Sequence, residues 1–358
     1  MNINSNFYQN INYFSSDIRN DNTQHKNEEI AISNYEINGR NGKYTSGGGA
    51  PSTSITSDIN KNKRLDTFYK LHNKSHQAPK IHSAVITEKS KLNKSFNPHN
   101  EIKSQATQPN GLYRLNYTVP ASGAGLKSIT FPMRIDEGQQ RKSSRDAGIY
   151  YAMQFDVNNE KGYKIGTGYT GLQPREDGKA LVLFSGFGAN FNAPDGRPGA
   201  DSGPGASNST MIDFQFGHTY NLTVQQRHDD PKILQAYIQD VTDSNNPGPK
   251  QWVKDLHVTQ DATLSGKQTG FVEHYGASIN NSAQIARTSG SFSAPFTTDD
   301  NSNVKYGSLS RGELYGRYAN SMTGDQTLTK ERGQIKKVEF SFHGVDYSEN
   351  DKRPVKSS

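Results

Sequence analysis

The most informative stretch of the chain is Gly168-Tyr-Thr-Gly-Leu-Gln173, followed by Ala180-Leu-Val-Leu-Phe-Ser185. A polar segment, Pro174-Arg-Glu-Asp-Gly178, separates the two. An Asp-Gly pair between apolar runs is a strong local signal for a tight turn that joins antiparallel strands. We therefore predict a β-hairpin here, at the centre of the fold.

The sequence on both sides of this hairpin has the same character. Between residues 111 and 119, Tyr113, Leu115 and Tyr117 alternate with polar residues, which is the period of a half-buried strand. No amphipathic helix pattern of about 12 residues or more follows Gly111. Many short strands separated by Gly, Pro and Asn turns predict an all-β fold, a single jelly-roll or concanavalin-like β-sandwich over residues 111–348.

Further strands are predicted at 128–135, 149–157, 211–216, 219–226, 233–240, 251–257, 269–275, 283–289, 305–309, 312–318 and 335–343. Pro132 has no N–H to donate to a ladder, so the strand at 128–135 is expected at a sheet edge. The Gly-, Pro-, Asn- and Asp-rich residues between Phe187 and Thr210 are expected to form a long loop, either functional or disordered.

Residues 1–110 differ in composition, with many Asn, Ser and Lys residues and few apolar ones. Such a mixture cannot bury enough apolar surface to offset the entropy lost when a chain is ordered. We predict a disordered Asn- and Ser-rich leader with a Gly-rich linker over 1–58, and a basic disordered tether over 59–110. Residues 349–358 are predicted to form a disordered tail.

The formal net charge of +6 is concentrated in one segment. Residues 59–110 hold ten basic against three acidic side chains, whereas the predicted sandwich is nearly neutral. This basic segment has few aromatic residues on which bases could stack, so we predict no specific nucleic-acid binding. The chain has no cysteine, which excludes disulfides, thiolate metal sites and a cysteine nucleophile.

The first residues contain neither the basic nor the apolar region of a secretory signal peptide. The apolar runs are far shorter than the roughly 20 residues that a membrane span needs, so we predict no span. We expect secretion by a route that does not use a signal peptide, with the leader addressing the protein to secretion or injection machinery. A cytoplasmic location is the alternative.

Five short motifs follow one another in the middle of the chain: Gly168-Tyr-Thr-Gly-Leu-Gln173, Val182-Leu-Phe-Ser185, Phe216-Gly-His-Thr-Tyr220, Gln251-Trp-Val253 and Gly270-Phe-Val-Glu273. Their order and spacing over residues 145–320 resemble DUF3472, a bacterial family of unknown function. The resemblance implies a β-sandwich found mostly in exported proteins, often near carbohydrate-related modules, and no established reaction. The chain departs from the family by lacking an export signal and carrying a basic tether.

The residue types in this region are those of a carbohydrate site. Aromatic rings stack on the C–H faces of sugars, and neighbouring amides and carboxylates supply directional hydrogen bonds. We predict Tyr169, Gln173, Trp252 and Tyr275 as ligand-binding residues. The alternative is a packing role, which for a single tryptophan means burial inside the sandwich.

Glu273 is the candidate catalytic residue. On a strand, Glu273 and Tyr275 share one face while His274 points to the other. A carboxylate beside a phenol can act as an acid or a base, but a glycosidase needs a second carboxylate, and no spacing identifies one. The alternative is a structural polar cluster.

Two weaker signals complete the sequence. Arg311-Gly-Glu-Leu-Tyr-Gly-Arg317 is similar to one strand of jelly-roll polysaccharide lyases, but the other lyase motifs are missing, so we interpret it as a cross-strand salt bridge. Residues 156–160, 195–201 and 299–303 offer oxygen ligands of the kind Ca²⁺ prefers, without the spacing of a calcium loop. We predict no metal and no cofactor, with Ca²⁺ as the alternative.

These observations predict a carbohydrate-binding module, the active part of a bacterial secreted or injected effector, whose partner is a carbohydrate or a host-cell ligand. Two alternatives stay open. One is a glycan hydrolase or lyase on the same sandwich that uses Glu273. The other is a toxin or effector that acts on a target cell.

Overall fold

The computed structural model describes residues 85–92, 110–123, 125–143, 145–200, 203–299 and 302–348. All of them belong to one compact unit. The helical segments in these ranges are two 3₁₀ turns, Ser282–Gln284 and Ala319–Ser321. None is long and apolar enough to cross a bilayer. The prediction of an all-β fold is confirmed, while the predicted leader and tail lie outside the described residues.

The described residues form 21 strands. In chain order these are β1 Val85–Lys91, β2 Gly111–Thr118, β3 Ser128–Glu137, β4 Ala147–Asn159, β5 Lys164–Pro174, β6 Lys179–Phe187, β7 Phe191–Asn192, β8 Arg197–Ala200, β9 Gly203–Asp213, β10 Thr219–Gln226, β11 Ile233–Asp240, β12 Gln251–Val258, β13 Ala262–Leu264, β14 Lys267–Gly276, β15 Thr288–Ser293, β16 Phe296–Thr298, β17 Val304–Tyr306, β18 Ser308–Leu309, β19 Glu313–Leu314, β20 Met322–Glu331 and β21 Gln334–Gly344.

The named strand pairs are antiparallel and form two layers. The first sheet runs β1-β20-β21-β15-β3-β10-β11-β12-β7. The second runs β2-β14-β4-β5-β6-β9-β8, with β18 and β19 along the free side of β2. A single pair, Leu309 of β18 with Ile335 of β21, joins the layers at one edge.

Aromatic rings fill the space between the two sheets. Tyr113 of β2 stacks on Phe340 of β21 with ring centroids 4.2 Å apart. Tyr151 of β4 packs against Phe292 of β15 at 6.1 Å, and its hydroxyl donates a hydrogen bond of 2.9 Å to the carbonyl oxygen of Ser289. A buried tyrosine whose hydroxyl finds a partner contributes its full apolar area without the cost of an unsatisfied polar group.

The central hairpin of β5 and β6 forms as predicted. Eight residue pairs join the strands, from Thr167 with Phe187 to Pro174 with Ala180. Asp177 and Gly178 both have positive φ, 56° and 63°, as a tight type I′ turn requires. Gly171 in the middle of β5 lets the chain pass close to β4, because a Cβ there would lie 2.1 Å from the carbonyl oxygen of Tyr151.

Strand β1 contradicts part of the predicted tether. Residues 85–91 pair with β20 along seven registered positions, so the prediction of disorder over 59–110 is wrong for them. Its side chains are mostly exposed and polar, which hides the strand from a hydrophobic pattern. Ion pairs across the ladder, Lys91 with Asp325 at 2.8 Å and Lys330 with Glu88 at 2.7 Å, accompany the backbone pairing.

The predicted edge position of the strand that contains Pro132 is also wrong. Strand β3 lies between β10 and β15. Pro132 is tolerated there because pairing on one side is interrupted around it. Strand β15 pairs up to Met133, and β16 takes over at Thr130.

The long loop expected between Phe187 and Thr210 is largely strand. Strands β7, β8 and β9 occupy most of it, and β9 pairs with β6 along nine positions. Glycine, proline and asparagine suggest a loop, yet Pro204 is accommodated because it lies near the start of β9, beyond the last pair with β6 and in the irregular part of the pairing with β8. Segment 283–289 begins as a 3₁₀ turn rather than a strand, and β20 has no counterpart in the sequence prediction.

Replacing Gly171 with alanine tests the close approach of β5 and β4. The new methyl group would collide with backbone, which cannot rotate away, so we expect the free energy of unfolding to fall by about 1–3 kcal/mol. Gly123→Ala is the matched control, because an added Cβ there meets no atom within 4 Å. Urea unfolding of both variants measures the difference, and equal stability of the two would contradict this packing.

Candidate functional site

The second sheet buries aromatic residues on both of its faces. One face belongs to the main core through residues such as Tyr151, Met153 and Phe155 of β4. The opposite face carries a separate cluster that we call the tyrosine face, formed by Tyr150, Ala152, Tyr169, Phe271, Tyr275 and Tyr315. The rings meet edge to face, with centroids 5.4 Å apart for Tyr150 and Tyr169.

Strand register brings four of the five predicted site residues onto the tyrosine face. Glu273 of β14 is the cross-strand partner of Tyr150. Tyr169 pairs with Ser185 and Gln173 with Leu181 along the hairpin. Tyr275 follows Glu273 by two positions and therefore shares its face.

The predicted side-chain directions on β14 are confirmed by the pairing partners. Glu273 pairs with Tyr150, which belongs to the tyrosine face, while His274 pairs with Ile149, which belongs to the main core. His274 is therefore separated from Glu273 and Tyr275 by the sheet itself. All three side chains are more than nine-tenths buried.

One end of the tyrosine face is an arginine–tyrosine cluster, made of Arg141, Arg175 and Tyr275. The guanidinium carbons of Arg141 and Arg175 lie 5.6 and 5.2 Å from the centroid of the Tyr275 ring. Arg175 also donates a 2.8 Å hydrogen bond from Nη2 to Oε1 of Gln173. Cations over an aromatic ring are attracted by its π face, and the attraction grows as water is removed.

Burial sets the acid–base behaviour of this cluster. Desolvation raises the pKa of Tyr275 to about 12, although the two guanidinium groups act in the opposite direction. Desolvation also lowers the pKa of both Arg141 and Arg175. The cluster therefore holds a neutral phenol between two cations that have lost part of their hydration.

The other end of the tyrosine face contains Glu273, Tyr315 and Arg114. Arg114 lies over the Tyr315 ring at 5.1 Å and pairs through Nε with Oε1 of Glu313 at 2.6 Å. Burial raises the pKa of Tyr315 well above its ordinary value, the charge of Glu273 raises it further, and Arg114 lowers it. The carboxylate of Glu273 is therefore close enough to act on this phenol.

The salt-bridge interpretation of residues 311–317 is confirmed. Glu313 of β19 pairs across the ladder with Arg114 of β2, both in register and through their charges. Arg311 binds Glu88 of β1, and its Nη1 donates to Oγ of Ser90 at 3.1 Å.

Trp252 lies apart from the tyrosine face. It belongs to β12 in the first sheet, and 46% of its surface is exposed. Its indole Nε1 donates a 2.8 Å hydrogen bond to Oδ1 of Asp255, and the Lys254 ammonium lies 5.5 Å from its ring. Burial inside the sandwich, the alternative considered for this residue, does not occur; its role in stacking on a sugar stays a prediction.

An open cleft of about 540 Å³ lies between the turn at 120–125 and the start of β14. Its wall includes Asn158, Lys267, Tyr306 and Gln334. Tyr306 is 62% exposed and packs on Phe296 with ring centroids 5.5 Å apart. This cleft is more accessible than the tyrosine face, whose side chains are more than nine-tenths buried.

In two of the three stretches for which Ca²⁺ was the alternative, a carboxylate pairs with a lysine of the protein itself. Asp156 accepts from the ammonium of Lys164 at 2.9 Å and from Thr167 Oγ1 at 2.7 Å. Asp299 lies 3.2 Å from the ammonium of Lys305. Among the described residues no group of three or more histidine or acidic side chains could hold a metal ion.

The sequence prediction did not include Arg141, Arg175, Tyr150 or Tyr315 among the site residues. Arg175 belongs to the predicted polar turn, where charged residues are ordinarily solvated. A parallel backbone bridge between Arg141 and Arg175, from segments more than 30 residues apart, places the two residues side by side. The Arg-Gly-Glu-Leu-Tyr motif contains Tyr315, but the salt-bridge interpretation of this motif concerns its charged residues alone.

Comparison with known proteins finds no relative of this chain. No protein-family model matches the chain, and no curated protein matches it significantly. The resemblance to DUF3472 therefore stays a prediction.

Alkaline pH tests the burial of Tyr275. In the unfolded chain a tyrosine loses its proton near pH 10, whereas Tyr275 in the fold keeps it until about pH 12. The free energy of unfolding should therefore fall as pH rises from about 10 to 12, with roughly 1–3 kcal/mol contributed by this residue. Urea unfolding across this range should show a smaller fall for Tyr275→Phe, and identical slopes would show that Tyr275 is not buried as described.

Proposed function

We propose that the protein is a carbohydrate-binding module whose ligand contacts the tyrosine face. The observation that supports this most is the convergence of Tyr169, Gln173, Glu273 and Tyr275. These residues come from β5 and β14, are about 100 positions apart in the chain, and lie on one face of one sheet.

The chemistry of this face suits a sugar. Aromatic rings supply flat apolar surface for C–H groups, and the amide of Gln173 with the carboxylate of Glu273 supplies directional hydrogen bonds. The side chains of the tyrosine face are held in fixed positions by a rigid sheet. Little conformational entropy is therefore lost when a ligand binds.

Access is from the ends of the face. The central side chains are more than nine-tenths buried, whereas Arg175 at one end and Arg114 at the other are half-buried. A sugar chain would reach Gln173 and Tyr275 first, beside Arg175. This end is where binding should be most sensitive to substitution.

A glycan array probed with the full chain tests the proposal. For each glycan that binds, Gln173→Leu should weaken binding at least about fivefold, because it removes a hydrogen-bonding amide and keeps the side-chain volume. Trp252→Ala, on the other sheet, should change binding less than about twofold. The reverse pattern would move the site to Trp252, and an array without any bound glycan would refute the proposal.

An enzyme acting on glycans is the second candidate, because Glu273 lies close enough to Tyr315 for its charge to affect the phenol. Incubation with polysaccharides, followed by measurement of new reducing ends, would detect cleavage. Glu273→Gln should abolish turnover while Trp252→Ala keeps it, since Glu273 supplies a buried carboxylate to the face and Trp252 lies on the other sheet. Product formation that survives Glu273→Gln would exclude this residue as the acid or base.

Delivery as a secreted or injected effector or toxin remains part of the proposal. It depends on the leader at 1–58, which lies outside the described residues. The proposed binding site contains no residue of that leader, so glycan binding can be tested independently of any route of export.

A further inference from the structure

The arginine–tyrosine cluster is built from three separate segments. Arg141 precedes β4, Arg175 follows β5, and Tyr275 lies near the end of β14. The backbone N–H of Arg141 donates to the carbonyl oxygen of Pro174 at 3.3 Å, and Gln140 Nε2 donates to that of Arg175 at 2.8 Å. These bonds hold the two arginines side by side independently of their own side chains.

The side chains of the cluster are placed by close packing. Arg141 is 4% exposed and donates from Nε to the carbonyl oxygen of Ser143 at 2.9 Å. Gly148 leaves room for the phenol, because a Cβ there would lie 2.8 Å from Tyr275 Oη and 2.9 Å from Arg141 Cβ. The hydroxyl of Tyr275 is thereby held next to Arg141 at the edge of the face.

Two features of the cluster favour the binding of an anion. Tyr275 is 6% exposed, and its Oη has no hydrogen-bond partner among the described residues. Among the described residues, no carboxylate forms a salt bridge with Arg175. Its neighbour Glu176 binds Lys142 at 3.1 Å instead. An unsatisfied buried hydroxyl beside a desolvated cation is costly unless an acceptor fills the space.

Asp146, the acidic side chain whose charge acts on Arg141, forms no salt bridge with Arg175. Asp146 accepts the backbone N–H of Ser143 at 2.7 Å through Oδ2, and its charge acts on Arg141. It thus offsets part of the charge of one arginine. Arg175 has further N–H donors besides the one that binds Gln173, and the phenol has no hydrogen-bond partner among the described residues.

We propose that the arginine–tyrosine cluster binds the carboxylate of an acidic sugar, so that the ligand of the tyrosine face is a uronic-acid-containing glycan. A planar carboxylate accepts two parallel hydrogen bonds from a guanidinium, and a phenol can donate a third. Neutral sugars offer hydroxyl groups, which do not neutralise two adjacent cations. The inference depends on the proposed carbohydrate site and specifies its ligand class.

Calorimetric titration of the full chain with an oligogalacturonate and with its methyl ester tests the inference. The two ligands share a backbone and differ in charge. The acid should bind at least about tenfold more tightly, because esterification removes the charge-assisted hydrogen bonds. Equal or tighter binding of the ester would overturn the inference and leave the proposed carbohydrate site intact. Failure of both ligands and of every glycan on an array would refute the proposed function itself.

Three variants separate the cluster from general attraction to a basic protein. Arg175→Gln and Tyr275→Phe should each reduce the preference for the acid to less than about threefold, with little effect on the ester. The backbone bonds of residue 175 survive the first change, and the aromatic ring survives the second. Lys254→Gln, which removes a positive charge beside Trp252, should keep the full preference; loss of preference in this variant would contradict the inference.

A sulfated galactan oligomer of equal charge distinguishes a carboxylate site from a general anion site. A guanidinium also binds tetrahedral oxyanions through two hydrogen bonds, so charge alone predicts equal affinity for the two ligands, whereas the proposed carboxylate site predicts weaker binding of the sulfated ligand than of the uronate. Tighter binding of the sulfated ligand would overturn the assignment to uronic acids.

Discussion

The structure depends above all on the register of β4 between β5 and β14. Tyr151 pairs with Leu172 on one side and with Val272 on the other, and all three belong to the main core. Because side chains alternate along a strand, the same register sends Tyr150 to the opposite face. A shift by one residue would exchange the two faces completely. The sandwich core and the tyrosine face are therefore two consequences of one set of backbone hydrogen bonds.

The two sheets differ in how their faces are buried. The first sheet has one face in the core and carries largely polar residues on the other, as β10 and β11 illustrate. The central strands β4 and β14 of the second sheet are buried on both sides, yet the far face contains a carboxylate, an amide and a phenol among the aromatic rings. Polar groups are a costly choice for a purely structural interior. Their position on a rigid sheet, with arginines at both ends, is the reason why we propose a role in ligand recognition.

The sequence allowed prediction of features that depend on neighbouring residues. Alternation of apolar residues located β2, β4, β10 and β11, and the Asp-Gly turn located the central hairpin. It did not reveal β20, where Met322, Gln326 and Leu328 are the buried residues within an otherwise polar run. The amide of Gln326 can be buried because it forms two 3.0 Å hydrogen bonds with the backbone of Gly312. These bonds form only in the folded chain.

The sequence predicted which types of residue form the candidate site better than it predicted the full set of residues that belong to it. Glu273 and Tyr275 share a face by strand geometry alone, whereas the contacts of Tyr275 with Arg141 and Arg175 arise from long-range pairing that no local pattern encodes. A crystal structure of the protein with an oligogalacturonate tests the account most directly. We expect a uronate carboxylate within hydrogen-bonding distance of Arg175 and Tyr275 Oη. An oligosaccharide seated instead on Trp252, or in the cleft beside Tyr306, would contradict the account.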